Sequence, residues 1–184
     1  PPFSGQHNHA WSDGLAMRVA PIGVLANGDI AAAKRMAIAD GEVSHSGEGI
    51  HAGIAIAVAV TSGMAGKGYL EVYSDAVNSV PKDSWTYRTL VDAQNILNEN
   101  VNESLFVNAE KLLDKVAQTK YFFADLAPEA VSLALASVLY GKGDFAKSLL
   151  FAVNLGRDAD TIAAMSGAVA GSISGYSNIP GKWK

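Results

Sequence analysis

A chain of 184 residues, 49% apolar and only 17% charged, is long enough for one domain with a real core, and its helices must cover one another more than water covers them. A net charge of −4 and a pI near 5.5, with no run of Lys or Arg, leave no electrostatic footprint for a nucleic acid or an anionic membrane. The absence of cysteine removes disulfides, thiolate zinc sites and cysteine nucleophiles, and fits a reducing, cytoplasmic setting.

The chain opens on Pro1-Pro2-Phe3 without an initiating Met or the charged and apolar regions of a signal peptide, so it reads as starting partway through a longer product. Residues 1–14 are irregular and polar. In the apolar segment Leu15 to Leu25, Pro21 is expected to break or kink any helix. Asn27-Gly28 is a turn, and Asp29 caps a helix through about Ala39. A polar loop from Glu42 to Gly49 carries Ser44-His45-Ser46 and feeds a long Ala/Ile/Val helix that Gly66 stops. Tyr69 to Val80 reads as a helix ending at Pro81. Asp83 or Ser84 caps the next, which runs to about Asn98. After an Asn- and Glu-rich loop, helical spacing resumes from about Val107 to Gln118. Pro128 opens a helix that closes at Tyr140-Gly141, and Asp144 caps the helix that leads to Asn154.

The apolar runs Gly49 to Gly66 and Thr161 to Gly175 approach membrane-span length, but Ala and Gly dominate them and the first carries His51. Both read as central helices of a water-soluble bundle. Gly167, Gly171 and Gly175 recur every fourth residue, which predicts close approach of another helix backbone. No segment alternates with strand period. The expectation is therefore a single all-α domain over residues 1–184, a compact multi-helix bundle.

Several catalytic signatures fail. Gly66-Lys67 lacks the Ser or Thr of a phosphate-binding loop, and Gly141-Lys142-Gly143 follows a helix instead of a strand. Gly171-Ser172-Ile173-Ser174-Gly175 has Ile where a nucleophile elbow needs Ser. His7 and His9 lie in a terminal loop and read as solvated.

Three constellations remain. Ser12-Asp13-Gly14 is a polar, Gly-containing loop whose backbone N–H groups suit an anion, or else a capped helix start with Arg18 in a surface ion pair. Ser44-His45-Ser46 with Glu48 lines a second loop, as a functional His or one hydrogen-bonded for structure. In Asn154 to Gly171, NLGRDADTIAAMSGAVAG, Gly156 breaks one helical pattern and Asp158, Asp160 and Thr161 stand at the mouth of the next. One Asp there suffices to cap a helix, whereas two carboxylates and a hydroxyl at i, i+2 and i+3 suit a hard divalent cation. Both readings stay open at this level.

Taken together, SDGLAMRVAPIGVL, the Ser44-His45 loop and NLGRDADTIAAMSGAVAG followed by Ile179-Pro180 resemble the second half of the ADP-ribosylglycohydrolase family, which includes the dinitrogenase reductase-activating glycohydrolase and the J1 crystallins. The resemblance implies an all-α fold. It implies hydrolysis of the glycosidic bond between ADP-ribose and a protein side chain or small acceptor, with two Mg²⁺ or Mn²⁺ ions. By the same resemblance Asp158, Asp160 and Thr161 are metal ligands, and Ser12, Asp13, Gly14, His45, Gly156 and Arg157 line the substrate cleft, with Arg157 standing where Gly is frequent. The family's remaining metal ligands come from a Thr-Asp-Asp motif, and no such triplet occurs here. A separate N-terminal segment would complete the site. A non-catalytic ADP-ribose-binding or crystallin-like structural protein is the rival expectation.

Overall fold

The computed structural model describes residues 1–119 and 121–184. Among them nine α-helices and no strand form: α1 Ala20–Ala26, α2 Ile30–Gly41, α3 Glu48–Met64, α4 Tyr69–Ser79, α5 Trp85–Glu99, α6 Leu105–Val116, α7 Ala127–Tyr140, α8 Phe145–Leu155 and α9 Ala159–Ser174. The all-α expectation holds.

Two helices are almost wholly enclosed. In α3 every residue from Ala52 to Gly63 is buried, and α7 is buried from Ala127 to Leu139. Apart from Glu129 in the first turn of α7, side chains in these two buried runs are apolar or small all round, as a central helix requires. α3 packs against α1, α2, α4, α7 and α9, and α7 against α4, α5, α6, α8 and α9. The second central helix is therefore α7 and not the Thr161–Gly175 run, whose α9 buries one face only.

Local rules explain most boundaries. The carboxylate of Asp29 and the hydroxyls of Ser84 and Ser104 each accept a bond from the third backbone N–H beyond them, as does Asp144. Ser84 rather than Asp83 caps α5, and Ser104 starts α6 earlier than Val107. Pro21 does not kink a helix. It stands in the first turn of α1, where its missing N–H costs nothing, and residues 12–18 form turns before it.

The glycine stripe on α9 does not admit another backbone. A Cβ on Gly171 would meet only the Phe145 ring, at 3.7 Å, and one on Gly175 would meet nothing. Close backbone approach falls instead at Gly63 of α3, where a Cβ would collide with Ser172 of α9. The period found small residues but not which of them faces a helix and which a side chain.

One end of the bundle gathers the N-termini of α3, α7 and α9. The N-terminal loop is tied to α7's entry by an antiparallel bridge between Ser12 and Leu126, with Asp13 N donating to the Asp125 carbonyl at 2.8 Å and Ala127 N to the Trp11 carbonyl at 2.9 Å. It meets α3's entry through Ser46 N and the Ala10 carbonyl at 3.2 Å. No described helix is long and apolar enough to cross a membrane.

Candidate functional site

The chain reaches this end from α8 by reversing direction. Gly156 has φ 70° and Arg157 φ 58°, both in the left-handed region, which costs Arg157 strain that Gly would not feel. The turn is held by a buried clamp: Arg157 Nε donates to Glu129 Oε1 at 2.5 Å and its Nη2 to Oε2 at 3.2 Å, while Gln118 N donates to the same Oε2 at 2.6 Å. Glu129, in the first turn of α7, is 0% exposed. Arg157 is thus committed to Glu129, a role its expected place in the substrate cleft did not anticipate.

Immediately beyond the clamp, Asp158 occupies the N-cap position of α9, yet its side chain accepts no capping bond. Asp160 and Thr161 follow it in the first turn of α9, and Asp13 stands near enough to act on its titration. The capping reading of Asp158 is therefore overturned, since its carboxylate accepts from none of the helix's first N–H groups. Burial pushes the Asp158 carboxyl up, and Asp160 beside it adds to the rise.

Asp13 is 3% exposed, and its Oδ2 is buried without a partner. Burial, then Asp158 against it and Asp125 nearby, push its carboxyl up to about 8. Like charges brought together out of water cannot all ionise unless a cation joins them. Among the described residues no three Asp, Glu, His or Cys side chains close around one point, so the acidic set is partial.

His45 lies against the same loop. Its Nε2 is 3.3 Å from Ser12 Oγ, and a Cβ on Gly14 would come within 3.1 Å of that nitrogen, so Gly14 makes the room for the imidazole. Its Nδ1 is 2.8 Å from Ser44 Oγ, which in turn accepts from Arg18 Nη2 at 2.9 Å, and Arg18 Nε donates to Asp40 Oδ2 at 2.9 Å. Burial, then the Arg18 charge, lower the His45 pKa, keeping the ring neutral. The surface ion pair considered for Arg18 exists, and it also orients this histidine.

The structure brings Ser12, Gly14 and His45 together, and sets Asp13 near Asp158, which Asp160 and Thr161 follow in the first turn of α9. It separates the paired histidines: His7 Nε2 meets the Ser44 carbonyl at 2.9 Å, whereas His9 Nε2 meets Asp125 Oδ2 at 2.7 Å. Asp125, with its Oδ1 buried and unpartnered, and Glu129 were not singled out in the sequence. Their only local signal is an acid either side of the Pro128 helix start.

A family model described as ADP-ribosylglycohydrolase matches residues 1–184. The chain belongs to the ADP-ribosylglycohydrolase family. Among its relatives, an uncharacterised protein of Archaeoglobus fulgidus is 31% identical over 171 residues, 92% of this chain and 51% of that protein. A protein of Serratia proteamaculans named ADP-ribosylarginine hydrolase Tri1 is 39% identical over 83 residues, 43% of this chain and 21% of that one. The chain spans about half the length of the first of these relatives and 21% of the second.

Proposed function

We propose that these residues form the C-terminal part of a metal-dependent ADP-ribosyl hydrolase domain, acting on ADP-ribose joined to a protein side chain or small acceptor. The reading is supported by Asp13, 3% exposed with an Oδ2 that has no partner, whose carboxyl is pushed up in part by Asp158 from the far end of the chain, and by Asp160 and Thr161 following Asp158 in the first turn of α9. All-oxygen ligands suit Mg²⁺ or Mn²⁺. Asp158 and Asp160 would hold the ion with Thr161, and the orphaned Oδ2 of Asp13 makes it a further ligand candidate beside its expected substrate role. When bound, such an ion polarises substrate oxygens and lowers the pKa of water.

The chain's own groups do the rest. The N-termini of α3, α7 and α9 point their positive ends at one region, which favours the diphosphate. Gly14 leaves its backbone open to close approach, and neutral His45 offers a hydrogen bond at Nε2 while Ser44 fixes Nδ1. The Glu129–Arg157 clamp sets where Asp158 stands. The sequence holds no Thr-Asp-Asp triplet, so groups that position the attacking water come from outside these residues, and a separate N-terminal segment is the proposed source. The arginine linkage in the printed name of the Serratia relative makes ADP-ribosylarginine the first substrate to try.

Titration of Mn²⁺ into the chain, with and without ADP-ribose, tests the reading. Asp158→Asn with Asp160→Asn should abolish Mn²⁺ binding without unfolding α9, because the Asp158 side chain makes no capping bond for the change to remove. Mn²⁺ binding unchanged in that variant removes these residues from the site. ADP-ribose binding that ignores the metal, with no hydrolysis of ADP-ribosylarginine once the upstream segment is supplied, would favour the non-catalytic reading.

A further inference from the structure

At the opposite end of α7, some 20 Å away for a 14-residue helix at 1.5 Å per residue, lies a cavity of about 230 Å³ between α4, α5, α6 and the Gly141–Gly143 turn. Two phenols, Tyr69 and Tyr140, and four carboxamides, Gln94, Asn98, Asn100 and Asn108, line it, the rest being largely Leu and Val. The rim carries Lys142, which forms no salt bridge among the described residues, and no acid faces it although the chain is acidic overall.

Asn108 is the telling wall residue. It is 2% exposed, and its Nδ2 donates to the carbonyls of Asn100, Glu103 and Ser104 at 3.2–3.3 Å, which fixes the amide and leaves Oδ1 without a donor. A buried acceptor left unpaired is costly, and an empty void is normally lined by apolar groups alone. Tyr140 already stacks on Phe151 at 4.0 Å, so its ring is held rigid as a wall. The Gly141-Lys142-Gly143 turn, which fits no phosphate-binding motif by order, holds Lys142 at φ 53° on this rim.

We propose that this cavity is a second small-molecule site, taking one planar ring that carries both hydrogen-bond donors and acceptors, of nucleobase type, with Lys142 facing an anionic tail outside. The volume is below the ~300–1,000 Å³ of sites that enclose a whole drug-sized ligand, so only a single ring system enters. Carboxamides supply matched donors and acceptors to such a ring, and the phenols supply flat apolar surface.

The test is a titration of the isotope-labelled full chain with adenosine 5′-monophosphate, adenosine and ribose 5-phosphate, followed by NMR at the side-chain amides of Gln94, Asn98 and Asn108. The nucleotide should shift these amides saturably with a Kd on the order of 1 mM, adenosine more weakly and ribose 5-phosphate not at all. Lys142→Met should lower the nucleotide's affinity to that of adenosine, and Gln94→Ala should remove the shifts. Silent cavity amides at ~10 mM nucleotide, well above that Kd, mean the cavity holds water only and overturn the proposal. So do equal shifts from ribose 5-phosphate, unchanged binding in Lys142→Met, or shifts confined to Asp13, Gly14 and His45, which would place the nucleotide in the acidic cleft alone.

Discussion

Removing the guanidinium of Arg157 should cost the protein about 3 kcal/mol, the lower end of what breaking a buried ion pair costs. Glu129 is 0% exposed and takes three hydrogen bonds, two of them from Arg157. In Arg157→Ala the carboxylate keeps only Gln118 N, with no route to water. Alanine retains a Cβ, so the left-handed backbone at φ 58° is as strained as before and the change isolates the side chain. For a chain of this length the loss corresponds to a fall in Tm of about 6–12 °C. The double variant Glu129→Gln with Arg157→Ala should lose only about 1–2 kcal/mol, because the stranded charge goes with its partner. Urea denaturation of wild type, both single variants and the double gives the coupling directly. A cost below about 1 kcal/mol for Arg157→Ala, or a double variant that equals the sum of the singles, would refute the clamp as an energetic unit. Mn²⁺ affinity on the same four proteins and on Arg157→Lys then reports whether the clamp positions Asp158, Arg157→Lys being expected to fall between wild type and Ala because it keeps charge but loses the fork.

Three further outcomes follow from the packing. Burial alone would raise the Glu48 carboxyl, but His51 and the N–H groups of Trp85 and Thr86 with the Thr86 hydroxyl hold it down to about 2, below its ordinary 4.5. This depressed acid contributes stability, about 2–3 kcal/mol, that is complete above pH 4.5 and lost as pH falls toward 2. Circular dichroism from pH 6 to 2 should show this slope flattened in Glu48→Gln. Gly63→Ala should destabilise by ~2 kcal/mol through overpacking against Ser172, whereas Gly171→Ala, with Phe145 at 3.7 Å, should stabilise by about 0.5–1 kcal/mol; the reverse order in thermal melts would contradict the placement of α9. Arg18→Met should raise the His45 pKa, since the Arg18 charge helps depress it, and an NMR pH titration showing no rise would remove Arg18 from the histidine's setting.

Local chemistry fixed what needs only neighbours in the chain. The caps at Asp29 and Asp144, the Pro128 helix start and the all-round apolar character of α3 are short-range matters, and each could be read from the residues themselves, while the cap of α5 was narrowed to Asp83 or Ser84. The motif NLGRDADT and the loops at Ser12 and Ser44 likewise stood out as candidates, because acids and hydroxyls placed at an apolar helix's mouth are legible by composition.

Tertiary structure decided what those groups face. Only folding sets Asp13 against Asp158, 145 positions away, and so turns a plausible helix cap into an acidic pair that leaves its helix uncapped. Only folding joins Arg157 to Glu129, and assigns the second enclosed place in the bundle to α7 while Phe145 fills the glycine stripe of α9. A side chain's role depends on the oxygen, ring or charge opposite it, and at these positions that partner comes from a distant segment that no local period or cap rule can name.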